Sequence, residues 1–259
     1  MKLPSLIATL LAGCIGNTGG AHVTFQAEAL AVAPVTGGKI VYDDADTGWH
    51  VELATAKVYL GPVYLWSGKP LNEPRIGPTY DVADQFDFGF LRGQVVDQAP
   101  IDLIATSGPT PIGSGDGLAG QALSAELWLA PPTDGTPATF EVAGTATKNG
   151  VAIEFSGGLT IDDSVVDQTN GDTAFTKRKV RAIPFDGLVA EGGTVTVECD
   201  ARRWLSSAPF DDYVPIPTPP TPATITAPIT FPDGVWNQWF YQVRQARGAG
   251  PWTLSWRAP

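Results

Sequence analysis

"ATFEVAGTATKNGVAIEFSG" (residues 138–157) reads as two strands folded back across one tight turn. Asn149-Gly150 is the pair a two-residue hairpin favours, because both positions take positive φ. Phe140 and Val142 before it, and Val151, Ile153 and Phe155 after it, recur at period two. That spacing puts them on one face of a pleated sheet.

The same alternation spreads in both directions. "HVTFQAEA" (22–29) sets Val23, Phe25 and Ala27 against His22, Thr24, Gln26 and Glu28. "GWHVELATAKVYL" (48–60) sets Trp49, Val51 and Leu53 against His50 and Glu52, and "GPVYLWSG" (61–68) follows a Gly-Pro break. "QFDFGFLRGQVV" (85–96) places Phe86, Phe88 and Phe90 on one side. "IDLIAT" (101–106), "ALSAELWLA" (122–130), "GLTIDD" (158–163), "KRKVRAIPF" (177–185), "GTVTVEC" (193–199) and the closing "WTLSW" (252–256) continue the pattern. Roughly ten to twelve short strands with frequent turn signals predict a mainly β chain, an antiparallel β-sandwich or barrel-like domain.

One amphipathic helix is expected over 234–247, with Asp233 as N-cap and Val235, Trp236, Trp239, Phe240 and Val243 on one stripe. Arg244 and Arg247 suit its C-terminal dipole, and Gly248 and Gly250-Pro251 end it. The proline-rich "VPIPTPPTPATITAPITFP" (214–232) before it reads as extended.

Composition excludes some partners. The 259 residues carry a formal net charge of −11, so nucleic acid is not an expected partner. The longest basic run, Lys177–Lys179, reads as a solvated strand end or loop.

Residues 1–13, "MKLPSLIATLLAG", have a positive Lys2 and a short apolar run, the form of a secretory signal. The run is too short for a spanning helix, which needs about 20 apolar residues. Leu11-Ala12-Gly13-Cys14 resembles the lipobox of bacterial lipoproteins. That resemblance implies cleavage before Cys14, a diacylglyceryl group on its thiol and a membrane partner through the lipid. Residues 14–21 then form a lipidated tether, and 22–259 a single β-rich domain. Ile15 rather than Asp follows the cysteine, which in that family favours the outer membrane or periplasmic face over the inner membrane. The other cysteine, Cys199, shares a face with Val195 and Val197 and reads as a reduced core thiol.

Candidate sites are few. "GDGLAG" (115–120) has the spacing G-x-G-x-x-G but lacks a flanking strand–helix context, so it reads as a surface loop. "YDDADTGWH" (42–50) clusters Asp43, Asp44 and Asp46, yet Gly48 and Thr55 break the spacing of a calcium loop. The two histidines, His22 and His50, sit on polar strand faces, and two strands can bring two imidazoles to one copper or zinc ion. Trp49 beside His50 resembles periplasmic copper proteins that pair histidine with an oxidised tryptophan, although its side chain belongs to the opposite face. No G-x-S-x-G elbow is present, and two histidines leave a Ser-His-Asp centre hard to assemble. Paired carboxylates for glycan cleavage stay open among 27 acidic residues, and Trp49, Trp66 and Trp128 are candidates to stack on sugars.

"GWHVELATAKVYLGPVYLW", "LRGQVV", "SGDGLAG" and "GTVTVECDARRWLSSAPF" resemble segments of uncharacterised bacterial β-rich lipoproteins. The expectation is a lipid-anchored envelope protein that is not an enzyme. Its role would be binding or structural, with no cofactor beyond the lipid and an envelope protein or glycan as partner. The metal-binding reading at His22 and His50 and the carbohydrate-binding or glycan-active reading stand as alternatives.

Overall fold

The computed structural model describes residues 20–70, 88–105, 107–129, 138–165, 173–217, 219, 222–246, 248 and 250–259. The signal segment, Cys14 and most of the tether lie outside the described residues, as do Phe86, Thr106 and Arg247.

Fifteen strands among the described residues form two sheets. Across the eight-stranded sheet run β12 (Lys179–Val189), β9 (Gly120–Trp128), β5 (Val63–Trp66), β6 (Leu91–Val95), β8 (Thr110–Leu118), β1 (His22–Ala31), β13 (Thr194–Cys199) and β15 (Trp252–Arg257). The second sheet orders β14 (Ala223–Ile229), β11 (Val151–Leu159), β10 (Phe140–Lys148), β4 (His50–Leu60), β3 (Lys39–Asp43) and β2 (Val35–Thr36). A further strand, β7 (Ala99–Asp102), pairs with the second half of β4. Asn149 (φ 53°) and Gly150 (φ 79°) make the turn between β10 and β11, with Lys148 opposite Val151. The inner faces of both sheets join in one hydrophobic core that includes Phe25, Trp49, Leu65, Phe140, Trp204 and Trp239.

Two pairings depart from the antiparallel expectation. β1 runs parallel to β13, and β11 runs parallel to β14. A parallel partner needs a long crossover. Here the chain between β1 and β13 builds most of both sheets, a long-range arrangement that no local turn signal announces. The eight-stranded sheet also curls until its edges meet, since β15 approaches β12. A Cβ on Gly187 of β12 would lie 2.6 Å from the Trp256 Cβ of β15, so a bare backbone at Gly187 permits this closure.

Several expected boundaries move. "GLTIDD" is no separate strand, because β11 continues to Leu159. "IDLIAT" stops being a strand at Asp102, whose Oδ1 accepts the Ile104 and Ala105 N–H groups at 3.0 Å and turns the chain. The proline-rich segment contributes β14. "GDGLAG" is not a loop: Gly115–Leu118 lie in β8 and Gly120 opens β9.

Helix α1 (Ala174–Lys177) is one capped turn, and α2 (Gly234–Gln242) carries the C-terminal aromatics. Asp233 caps α2 by accepting the Trp236 N–H at 2.6 Å. The helix ends before 247. Arg244 and Gln245 donate to Tyr241 and Gln242, three residues back, which tightens the chain out of the α-helix. The Val243 carbonyl accepts the Trp252 indole N–H at 2.7 Å. Among the described residues no helix is long and apolar enough to cross a membrane.

Candidate functional site

The three candidate tryptophans separate. Trp49 is 1% exposed and packs on Phe210, so it is core. Trp66 and Trp128 are half-buried, on neighbouring strands β5 and β9 of the larger sheet. Val63 and Leu65 of β5 point into the core, so Tyr64 and Trp66 point outward by the period of a strand. Tyr64 is opposite Glu126, and Trp66 opposite Ser124.

Around these rings the chain assembles more aromatic surface. Ser67 and Gly68 donate to Phe90 and Phe88 carbonyls, and Phe90 N–H donates to Ser67 Oγ at 2.7 Å. This ladder sets Phe88 edge-on to Trp66 at 5.1 Å. Tyr64 lies 6.1 Å from Trp128. Phe175 stands edge-on to Trp128 at 5.0 Å with half its surface in solvent. Helix α1 holds it there, since Asp163 accepts the Ala174 N–H and Thr173 closes a capping box with Thr176.

Glu126 is 5% exposed beneath this surface. One oxygen accepts the Trp128 indole N–H at 2.6 Å and the other the Arg181 Nε–H at 3.1 Å. A buried carboxylate persists when its charge is paired and its oxygens are hydrogen-bonded. Arg181 reaches it through a bulge in β12, where the register against β9 slips between Val180 and Ile183 and Ala182 takes φ 59°. Such a bulge re-aims side chains at a sheet edge. Lys179, opposite Trp128, has its Nζ 4.6 Å from the Trp128 ring centre and 3.7 Å from that of Phe175. Burial holds the Lys179 pKa below the ordinary lysine value; Glu126 opposes that shift and Arg181 adds to it. Burial, and then Glu126, push the Tyr64 hydroxyl upward.

A shallow cavity of about 240 Å³ lies farther across the sheet, lined by His22, Leu91, Arg92, Gln94, Asp116 and Leu118 among others. A Cβ on Gly93 would strike the buried Phe25 ring, so Gly93 faces inward and Arg92 and Gln94 face out.

The histidines belong to different sheets. His22 on β1 lies 4.0 Å from Asp116, whereas His50 on β4 contacts Asp43 at 2.7 Å and Glu52 at 3.8 Å. Among the described residues no group of three or more His, Cys, Asp or Glu side chains is placed to hold a metal ion. The acidic loop has structural work. Asp44 accepts from Asp46 N, Thr47 Oγ1 and Ser207 N, and Ser207 Oγ donates to Asp46 at 2.6 Å. Cys199 is a free, fully buried thiol whose pKa burial raises.

The arrangement offers ring faces and edges beside a cation, over a carboxylate already engaged on both oxygens. Sequence reading reached Trp66 and Trp128 but missed Tyr64, Phe88, Glu126, Phe175, Lys179 and Arg181. The signal for the cations was present: Lys179 and Arg181 alternate with the core residue Val180, so they share an outer strand face. Glu126 was hidden, because nothing local distinguishes it from other strand carboxylates.

No protein-family model matches the chain, and no curated protein sequence matches it. Among solved structures, MbnP from Methylosinus trichosporium is similar over 92% of this chain and 99% of that one, with a TM-score of 0.39. At 11% identity the two chains share too few residues for a site to be carried across.

Proposed function

We propose that this protein is a lipid-anchored protein of the bacterial envelope whose role is non-catalytic binding, and that it binds glycan through the outer face of β5, β9 and β12. The observation that carries this reading is the cluster of Tyr64, Trp66, Trp128 and Phe175 on one sheet face, with Lys179 among the rings. Aromatic side chains offer large contact area at small entropic cost and accept the C–H faces of sugar rings. Binding rather than cleavage fits Glu126, because both its oxygens are engaged and glycoside cleavage needs a second facing carboxylate. The anchor rests on the lipobox at Cys14.

The test uses the mature protein extracted from membranes and a panel of soluble oligosaccharides, read by tryptophan fluorescence and calorimetry. Binding is expected with at least one member of the panel. Tyr64→Ala and Phe175→Ala should each weaken it about tenfold, corresponding to about 1.4 kcal/mol. Binding to any sugar that survives both substitutions unchanged would place the site elsewhere.

A further inference from the structure

Resting on that glycan-binding reading, we infer that the ligand is an acidic polysaccharide, a chain of uronic-acid sugars lying across β12, β9, β5 and β6.

Charge complementarity points to an acidic ligand. The chain is acidic overall at −11, yet Lys179 and Arg181 of β12 both lie at the aromatic face. Arg181 is neutralised by Glu126. Lys179 makes no ion pair among the described residues; two rings hold its ammonium. A ring face compensates a cation only partly. A sugar carboxylate stacked beside Trp128 and Phe175 would complete the pairing, and it would arrive on a ring those aromatics can contact.

A second cation lies at the far side. Arg92 on β6 is half-buried, and its side chain lines the cavity beside Asp116. With strands ~4.8 Å apart, β12 and β6 are separated by about 14 Å across the sheet, and Arg92 is offset from Lys179 by three to four residues along the strands, so the two positions are about 18 Å apart. That is roughly the span of four linked pyranose residues, so one hexasaccharide lying diagonally can reach both Lys179 and Arg92.

A single chain fits this face better than a lipid surface does. An anionic bilayer meets the whole protein, whose net charge repels it at long range. A single polymer strand meets only this face.

The decisive measurement compares hexagalacturonate with neutral maltohexaose on the full mature protein, by calorimetry at 50 and 300 mM salt. Hexagalacturonate should bind at least tenfold tighter and lose at least fivefold at the higher salt. Lys179→Met and Arg92→Met should each weaken the acidic sugar at least fivefold more than they weaken the neutral one. Thermal unfolding of each variant controls for loss of fold, and Phe175→Ala, an exposed position, repeats the test without touching charge. Equal binding of both sugars, insensitive to salt, overturns the acidic-ligand inference and leaves the glycan reading standing. Binding of neither sugar overturns the acidic-ligand inference, while the glycan reading falls only if the whole oligosaccharide panel fails; binding to anionic phosphatidylglycerol vesicles that Lys179→Met abolishes overturns both.

Discussion

Trp128 donates its indole N–H to Glu126 at 2.6 Å, and both side chains come from the same strand, two residues apart. Successive outward positions of β9 thus form a unit in which the carboxylate fixes the indole. Arg181 locks the second oxygen from β12.

Glu126→Ala should therefore cost more than an ordinary surface substitution. It removes the acceptor of a half-buried indole N–H and leaves Arg181 beside a cavity without its counter-charge. A loss of about 2–3 kcal/mol is expected by urea unfolding. Glu126→Gln keeps an acceptor for Trp128 and should lose about half as much. A double-mutant cycle with Arg181→Met should return a coupling of about 1–2 kcal/mol. A coupling near zero would mean the arginine is not part of the unit.

Tyr42 should behave in the opposite way. Its ring is half-buried, but its hydroxyl is sealed from solvent and has no hydrogen-bond partner among the described residues. Burial first, then Asp44 and Asp200, raise its pKa far above the ordinary tyrosine value. Removing an unpaired buried hydroxyl relieves a desolvation penalty, so Tyr42→Phe should be neutral or stabilise by up to about 1 kcal/mol at pH 7. The sign with pH follows from the raised pKa. The unfolded tyrosine ionises near pH 10 while the folded one stays protonated. Its contribution is thus complete below pH 10 and is lost as pH rises toward the folded pKa, at up to about 1.4 kcal/mol per pH unit. Tyr42→Phe should flatten that alkaline decline, measured by urea unfolding at pH 9, 10 and 11.

Gly115 tests the interior of the curled sheet. A Cβ there would lie 2.6 Å from Phe25 Cζ and 2.7 Å from the Gln94 carbonyl oxygen. Neither can yield easily, because Phe25 is 1% exposed and the carbonyl belongs to the neighbouring β6. Gly115→Ala should destabilise by about 1–3 kcal/mol through overpacking. Phe25→Leu in the same chain should recover part of that loss. Full additivity of the two substitutions in thermal unfolding would contradict the contact.

These residues also show what was legible beforehand. Strands whose faces differ in polarity, such as β1, β4 and the β10–β11 hairpin, write their period directly into sequence. β8 did not, because "TPIGSGDGL" uses glycine where Phe25 needs room, and a strand made by its neighbour's bulk carries no hydrophobic alternation of its own. The parallel partners of β1 and β11 depend on contacts far apart in the chain. The same limit applied at the face: tryptophan announced itself by type, whereas Glu126 gains its meaning from Arg181, 55 residues away.

The anchor is tested at Cys14, the only other cysteine besides the buried Cys199. On the proposed lipoprotein reading, Leu11-Ala12-Gly13 would offer small residues to a signal peptidase, and Lys2 with the apolar run would serve export. Two acyl chains hold a protein on a membrane where one does so only marginally. Intact mass of protein extracted from membranes should therefore show a chain beginning at Cys14 and carrying an increment of at least a diacylglyceryl group. Cys14→Ser should abolish the increment and move the protein into the soluble fraction. Its unfolding midpoint should not change, because β1 begins at His22 and, among the described residues, the core begins at Val23. A wild-type chain that starts elsewhere, or that begins at Cys14 without added mass, would remove the lipid anchor. It would leave the aromatic face of β5, β9 and β12 to be judged on binding alone.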